Sequence, residues 1–149
     1  MQTNTVYEAR RSRRIGKLQD ILATDYLESV MRDIGMAPTL KRFQRMARCV
    51  RILAKTRIEN KHITATQLYE LLFQETGDAP RWINKQIALA IQGAYKSGNI
   101  DKMNIYARYR LIDSDIPIGN YLMICELYRI VLLKAIEELN EGTDESPCT

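Results

Sequence analysis

The hydrophobic positions in the first part of the chain recur at helical spacing. Between residues 6 and 34, apolar side chains return every three or four positions, which predicts a helix that Thr24 or Asp25 could interrupt and restart as a cap. Gly35 and Pro38 predict its end, because glycine accepts a left-handed backbone and proline cannot continue a helix. The chain therefore opens on one long helical segment or on two shorter ones.

The segment from Thr39 to about residue 60 predicts a helix with two unlike faces. One face is apolar and suited to a core, and the other carries cations with no acidic residue among them. Since like charges repel one another, this face indicates an anionic partner, although solvated arginine on an ordinary helix is the alternative. The cations are Lys41, Arg42, Arg45, Arg48, Arg51 and Lys55.

An abrupt helix start follows in the stretch HITATQLYEL, residues 62–71. Thr64 has the type of side chain that caps a helix, and Gln67 completes a capping box in which each side chain bonds the backbone N–H of the other residue. The pattern predicts a helix from residue 65 that ends at Gly77.

A further helix is predicted over residues 80–97. Asp78 is interpreted as its capping carboxylate, and Pro80 lies in the first turn, where the missing N–H of proline is tolerated. One face of this helix is apolar, which predicts that it packs into the core. The opposite face is largely polar and cationic, and it includes Arg81, Lys85, Gln92 and Lys96.

From Met103 the pattern changes to a period of two. The odd-numbered residues up to Leu111 are apolar or aromatic, the residues between them are mostly polar, and tyrosine and isoleucine favour strands. The pattern predicts a strand within residues 100–112, with a helix as the alternative. The sequence DSDIPIGN that follows is rich in turn-forming residues and predicts a linker.

Residues 121–140 predict a helix that is apolar almost all the way round. A bilayer span would bury Glu126, Arg129 and Lys134, so no membrane is predicted. Such a helix must be covered on most sides, and a small domain has few elements with which to cover it. We therefore expect a homodimer, or contact with a protein partner, through this helix. The predicted interface residues are Ile124, Leu127, Val131 and Ile136.

Charge is distributed unevenly along the 149 residues, whose net charge is +4. Residues 1–60 carry thirteen Lys and Arg against six Asp and Glu, whereas residues 113–149 carry two against eight. A basic front indicates a polyanionic partner, although an asymmetry without a partner is the alternative. Three widely spaced cysteines fit a reducing cytosol, so a cytoplasmic location is predicted, with no metal and no cofactor.

The order of the elements resembles that of the winged helix-turn-helix domain. A basic helix, a short strand at residues 62–64, a capped helix, a tight turn and another helix lead into KSGNIDKMNIYARYRL. In that superfamily a short strand precedes the second helix, the third helix reads DNA, and a similar phrase leads into the wing. The matching residues here are Lys96, Gly98, Ile100, Tyr109, Arg110 and Leu111.

The resemblance implies a mainly α fold, with a winged-helix-like core of three helices and a small β-hairpin. Extra helices at both ends would complete the chain. The implied organisation is a basic N-terminal helical segment (1–38), the DNA-binding core (39–112), a C-terminal hydrophobic helix for dimerisation (113–141) and a disordered acidic tail (142–149).

The resemblance also implies sequence-specific binding of double-stranded DNA, as expected of a transcriptional regulator. The helix over 80–97 would enter the major groove and bond base edges, and basic flanking surfaces would contact phosphates. The RRSRR sequence at residues 10–14 is interpreted as a mobile arm or, equally, as a solvated turn of helix. The expected base contacts are Arg81, Asn84, Lys85 and Gln92, and the expected phosphate contacts are Lys41, Arg45, Arg48, Lys96, Arg108 and Arg110.

Three other classes of function were weighed against this one. A helical adaptor or anti-activator without nucleic-acid binding is the main alternative; GAYKSGNIDK resembles the turn of a tetratricopeptide repeat but has no second copy. RNA is a further alternative, because Tyr106 and Tyr109 alternate with arginines and could stack bases. An enzyme is not predicted, since the chain has one histidine and none of the common catalytic or phosphate-loop motifs.

Overall fold

In the computed structural model, which describes residues 2–113 and 115–144, the chain folds into seven α-helices and forms no strand. The expected winged-helix-like core with a β-hairpin is therefore wrong, and the fold is all-helical. The helices are α1 (Gln2–Ala23), α2 (Tyr26–Asp33), α3 (Lys41–Ile58), α4 (Ala65–Thr76), α5 (Pro80–Ser97), α6 (Lys102–Ala107) and α7 (Asn120–Asp144).

Two long helices, α3 and α7, form the centre of the structure and pack against each other. Helices α4 and α5 cover α3, while α1 lies along α7 and α2 contacts both central helices. One continuous hydrophobic core joins these elements, and side chains of α1 and α2 belong to it. Its largest fully buried side chains include Leu27, Met31, Met46, Leu53, Leu68, Ile83, Ile87 and Met123.

The predicted start of α4 is confirmed atom by atom. The backbone N–H of Gln67 donates to Thr64 Oγ1 at 3.2 Å, and the backbone N–H of Thr64 donates to Gln67 Oε1 at 2.9 Å. Gly77 ends α4 and Gly98 ends α5, each in the left-handed conformation that glycine accepts without strain. The start of α5 differs from the expectation, because Ala79 is its N-cap and the Asp78 carboxylate accepts from Arg45 instead.

The segment predicted as a strand within residues 100–112 forms the short helix α6 and an irregular connection. The pattern of buried residues explains the error. Met103 and Ala107 are buried and lie four positions apart, a spacing that places them on one face of a strand and also on one face of a helix. Ile105 distinguishes the two patterns, and it is 78% exposed. After α6 the chain turns back at Arg108, whose φ is +65°, and the backbone N–H groups of residues 111 and 112 donate to Asn104 Oδ1.

The short strand expected at residues 62–64 is also wrong. Thr64 has an extended backbone, but the contact recorded for the neighbouring carbonyl is with α7: the Tyr121 hydroxyl donates to Ile63 O at 2.7 Å. Across the described ranges, β pairing is limited to one isolated bridge between Asp113 and Ile116. The abrupt cap at Thr64 therefore starts a helix that packs on α3, and no wing adjoins it.

Helix α7 is covered on most sides by other helices of the same chain. Of the residues expected at a dimer interface, Ile124, Leu127 and Val131 are buried in the core, and Ile136 is partly exposed. Helices α1 and α3 provide most of the cover that the sequence analysis assigned to a second molecule. The expected acidic tail begins inside this helix, which continues to Asp144, and its last five residues lie outside the described part of the chain.

Candidate nucleic-acid interface

The residues expected to contact bases lie on α5, and most of them form one exposed stripe. Arg81, Lys85 and Gln92 are exposed at positions that fall on the same side of the helix, and Lys96 continues the stripe towards its end. Asn84 is exposed but already bonded, because Asn120 Nδ2 donates to its Oδ1 at 2.9 Å and to its carbonyl at 3.0 Å. The stripe is therefore available to a ligand, whereas Asn84 links α5 to the start of α7.

The arginines of α3 that were expected to contact phosphates are neutralised within the chain. Arg45 Nε donates to Asp78 Oδ2 at 2.5 Å, and Arg48 Nε donates to Glu75 Oε2 at 2.7 Å. These pairs tie α3 to the end of α4 and to the turn before α5. Lys41, at the first position of α3, is exposed.

Arg108 lies beside α7 rather than beside the α3 arginines. The Arg108 guanidinium contacts Glu137 Oε2 at 2.6 Å, and Arg110 is exposed in the connection after α6. Three of the six expected phosphate contacts are therefore paired with carboxylates, on two different parts of the surface.

A different group of arginines has no such partners. We call Arg10, Arg11, Arg13 and Arg14 of α1, together with Arg57 near the end of α3, the arginine cluster. No carboxylate oxygen of the described side chains lies within 4.0 Å of its guanidinium nitrogens. The segment at residues 10–14 is thus part of a regular helix and is not an arm.

The arginine cluster borders two surface cavities where α1 lies against α7, and Arg14 lines both. The larger cavity, of about 240 Å³, is formed by Arg10, Arg13 and Arg14 against Ile136, Leu139 and Asn140 of α7. The smaller cavity, of about 120 Å³, is formed by Arg11, Arg14 and Arg57 against aliphatic side chains and Tyr128. Both cavities therefore place arginine side chains next to aliphatic side chains.

The protein holds Arg11 of the cluster in place with hydrogen bonds, and it buries part of the Arg57 side chain. Arg11 Nη2 donates to the carbonyl of Ile58 at 2.9 Å and to Asn60 Oδ1 at 3.1 Å, which fastens α1 to the end of α3. The Nε of Arg57 is buried and has no hydrogen-bond partner among the described residues. Burial raises the pKa of Tyr128, and the charge of Arg57 opposes that rise, so this charge lies close to α7.

Arg57 is a candidate site residue that the sequence did not predict. Its position near the end of a long basic helix gave no signal, because only the fold brings it next to residues that precede it by more than forty positions. The four arginines of α1 were noticed as a group, but their pattern did not show which surface they share.

A further cavity, between α3 and α4, carries charges of both signs. This cavity, of about 610 Å³, is lined by two lysines, three glutamates and uncharged side chains. Within residues 2–113 and 115–144, no helix has the length and apolar character needed to cross a bilayer.

Comparison with known proteins gives no relative from which a role could be carried over. No family model, no curated protein sequence and no solved structure matches the chain.

Proposed function

We propose that this protein binds nucleic acid through the arginine cluster. The observation that carries the proposal is that these five arginines have no carboxylate partner in the described structure, whereas Arg45, Arg48 and Arg108 each have one. Clustered guanidinium groups repel one another and are stabilised by a polyanion, and phosphate matches their planar fork of donors. A phosphate backbone is the ligand that this arrangement fits best.

Duplex DNA is the form of nucleic acid that we propose first, and helix α5 supplies a second candidate surface for it. Arg81, Lys85 and Gln92 are the side-chain types that bond base edges in a major groove, and all three are exposed. Contacts from α1 would fix the position of the duplex without reading its sequence, so any base preference would come from α5.

The first test measures binding of a duplex of about twenty base pairs by fluorescence anisotropy at several salt concentrations. About four phosphate contacts predict a loss of affinity of roughly a hundredfold between about 50 and 200 mM salt, because counterions are released on binding. Absence of binding at the lowest salt concentration, for duplex and single strands alike, would contradict the proposal.

Two matched triple variants then locate the surface. Arg10→Gln/Arg13→Gln/Arg14→Gln and Arg81→Gln/Lys85→Gln/Lys96→Gln each remove three positive charges from exposed helix positions. We expect the first triple variant to lower the slope of log affinity against log salt by about three and the second to lower it far less. The opposite result would place the phosphate contacts on α5.

A second candidate function is a helical adaptor, and it is favoured by exposed apolar side chains around α6. Ile105 is 78% exposed and Ile116 is 66% exposed, with Tyr109 and Leu122 also at the surface. Large exposed apolar side chains indicate a protein contact when they form one patch. Sedimentation velocity distinguishes this candidate: concentration-dependent association that Ile105→Ser/Ile116→Ser removes would support a protein contact at this surface.

A further inference from the structure

The smaller cavity of the arginine cluster has the features of an anion site at the protein surface. Arg11 and Arg14 of α1 and Arg57 of α3 approach it from two helices, and no carboxylate is among its lining residues. Its apolar surface comes from Ile15 and Leu18 on one side and from Leu132 on the other. Three positive charges around an apolar surface leave the cavity with a strong preference for a negatively charged group.

The state of Arg57 indicates that one donor in this cavity lacks its acceptor. Its Nε is buried without a hydrogen-bond partner in the described structure, and a buried donor without an acceptor is unfavourable by about 1–3 kcal/mol. Its neighbours on α7 include Tyr121, Cys125 and Tyr128, which are uncharged near neutral pH, and burial raises the pKa of each further. Because this Nε is inaccessible to solvent, an anion in the cavity would bond to it only after the Arg57 side chain turns towards the cavity.

Charge selects among the anions that reach this surface cavity, whose volume of about 120 Å³ admits a phosphate group. A phosphodiester inside a strand carries one negative charge and has fewer unsubstituted oxygens than a phosphate monoester. A terminal phosphate projects from its chain, has three unsubstituted oxygens, and carries about −1.5 to −2 charges near pH 7.

We infer that the cavity formed by Arg11, Arg14 and Arg57 binds the terminal phosphate monoester of a nucleic-acid strand. That the ligand is a nucleic-acid strand rests on the proposed function. That the cavity binds a phosphate group rests on the cavity alone. Arg11 is already oriented by its bonds to Ile58 and Asn60, so it presents its remaining donors without further ordering. The cluster would then hold an end of the strand at Arg57 while Arg10 and Arg13 contact the adjoining backbone.

The first experiment follows the side-chain Nε–Hε resonance of Arg57 by NMR during titration with inorganic phosphate at constant ionic strength. We expect a saturable shift of this resonance, with affinity several-fold weaker at pH 5.5 than at pH 7.5, because the dianion becomes a monoanion near pH 6. A resonance that does not respond to phosphate at either pH would overturn the inference, whatever the outcome with DNA.

A charge-conserving pair of variants supplies the control. Arg57→Lys and Arg13→Lys both keep the positive charge, but only the first removes a guanidinium that lines the smaller cavity. We expect Arg57→Lys to weaken phosphate binding about tenfold or more, since an ammonium cannot reproduce the planar fork, and Arg13→Lys to change it less than about twofold. Equal effects of the two substitutions would show that charge alone attracts phosphate, and would overturn the site.

The second experiment compares single strands and duplexes with a 5′-phosphate against the same molecules with a 5′-hydroxyl. Tighter binding of the phosphorylated form, lost in Arg57→Lys, supports the inference. Phosphate binding at Arg57 without any preference between the two forms assigns the cavity to free phosphate or small phosphate esters, and overturns the nucleic-acid part. Binding of the duplex without a response of Arg57 leaves the proposed function standing and the cavity unassigned, so the two failures are distinguishable.

Discussion

Helices α1 and α3 are both rich in arginine, yet the structure uses the two sets of charges in different ways. In α3, Arg45, Arg48 and Arg51 each contact a carboxylate on another element. In α1, Arg10 and Arg13 face solvent on a helix that packs on α7, with no carboxylate of the described side chains beside them. The same residue type therefore connects helices in one region and remains available to a ligand in the other.

The difference shows what separates a structural cation from a candidate binding residue. The carboxylate partners of the α3 arginines lie 23 to 33 positions away in the chain, so the sequence around each arginine does not reveal them. A run of cations without nearby acidic residues in the sequence can therefore form ion pairs within the fold or remain available to a ligand. The fold decides between them, because it brings acidic residues of α2 and α4 to the α3 arginines, whereas Glu138, which α7 brings to α1, pairs with Lys17 and not with the α1 arginines.

The largest expected effect is on the free energy of unfolding, and it comes from a substitution on the apolar side of α3. The arginine contacts of both regions depend on the packing of this helix. Leu53 is fully buried, so Leu53→Ala removes packing at the centre of the structure. We expect the free energy of unfolding to fall by about 2–5 kcal/mol, measured by urea denaturation. A fall below about 1 kcal/mol would show that α3 is not the central helix of the core.

The next effect concerns Arg51, which is bonded both to a carboxylate and to a backbone carbonyl. Its Nη2 donates to both oxygens of Glu28, at 2.7 and 2.9 Å, and to the carbonyl of Leu22 at 3.2 Å near the end of α1. Arg51→Met leaves a partly buried carboxylate and a helix-terminal carbonyl without this donor. We expect unfolding free energy to fall by about 2–3 kcal/mol, since hydrogen bonds to charged groups are the stronger ones.

A double variant separates the two causes of that loss. Arg51→Met/Glu28→Leu removes the stranded carboxylate as well, and we expect it to recover part of the stability that the single substitution loses. No recovery in urea denaturation would indicate that the bond to Leu22 carries the effect.

Arg11 provides an intermediate case, because it is the α1 arginine with protein acceptors. Arg11→Met removes the bonds to the carbonyl of Ile58 and to Asn60. We expect a loss of about 1 kcal/mol in unfolding free energy, the usual value for a neutral acceptor near the surface. Arg13→Met is the matched control in α1, and a loss of equal size there would mean that the bonds of Arg11 do not contribute.

The features that the sequence predicted well are those fixed by neighbouring residues. Thr64 and Gln67 form the expected capping box, and Gly77 and Gly98 end their helices in the expected conformation. Each of these depends on contacts within about four positions, so no knowledge of the fold is needed. The prediction of α7 as a helix likewise followed from its own pattern.

The errors occurred where a local pattern fits two structures or where the partner is distant. The burial of Met103 and Ala107 fits a strand and a helix equally well. In the structure the segment is a helix, and distant contacts stabilise it: Arg129 of α7 donates to the carbonyl of Ala107, and the Asn104 side chain accepts a hydrogen bond from the returning chain. The apolar surface of α7 was assigned to a second molecule, since the sequence does not show that α1 and α3 cover it. The sequence likewise did not predict that Arg57 lies near the arginines of α1, because only the fold brings them together.

The smallest expected effects on stability give the sharpest test of the comparison. Arg48→Gln and Arg14→Gln each remove one positive charge from an exposed position, one paired with Glu75 and the other in the arginine cluster. We expect Arg48→Gln to lower unfolding free energy by less than about 1 kcal/mol, the range for surface ion pairs, and Arg14→Gln to leave it within about 0.5 kcal/mol.

In duplex binding we expect the opposite order, with the larger effect from Arg14→Gln. Arg14→Gln should lower the slope of log affinity against log salt by about one, whereas Arg48, already neutralised, should leave it unchanged. Equal slopes for the two variants would mean that pairing within the chain does not decide which arginines a polyanion can use.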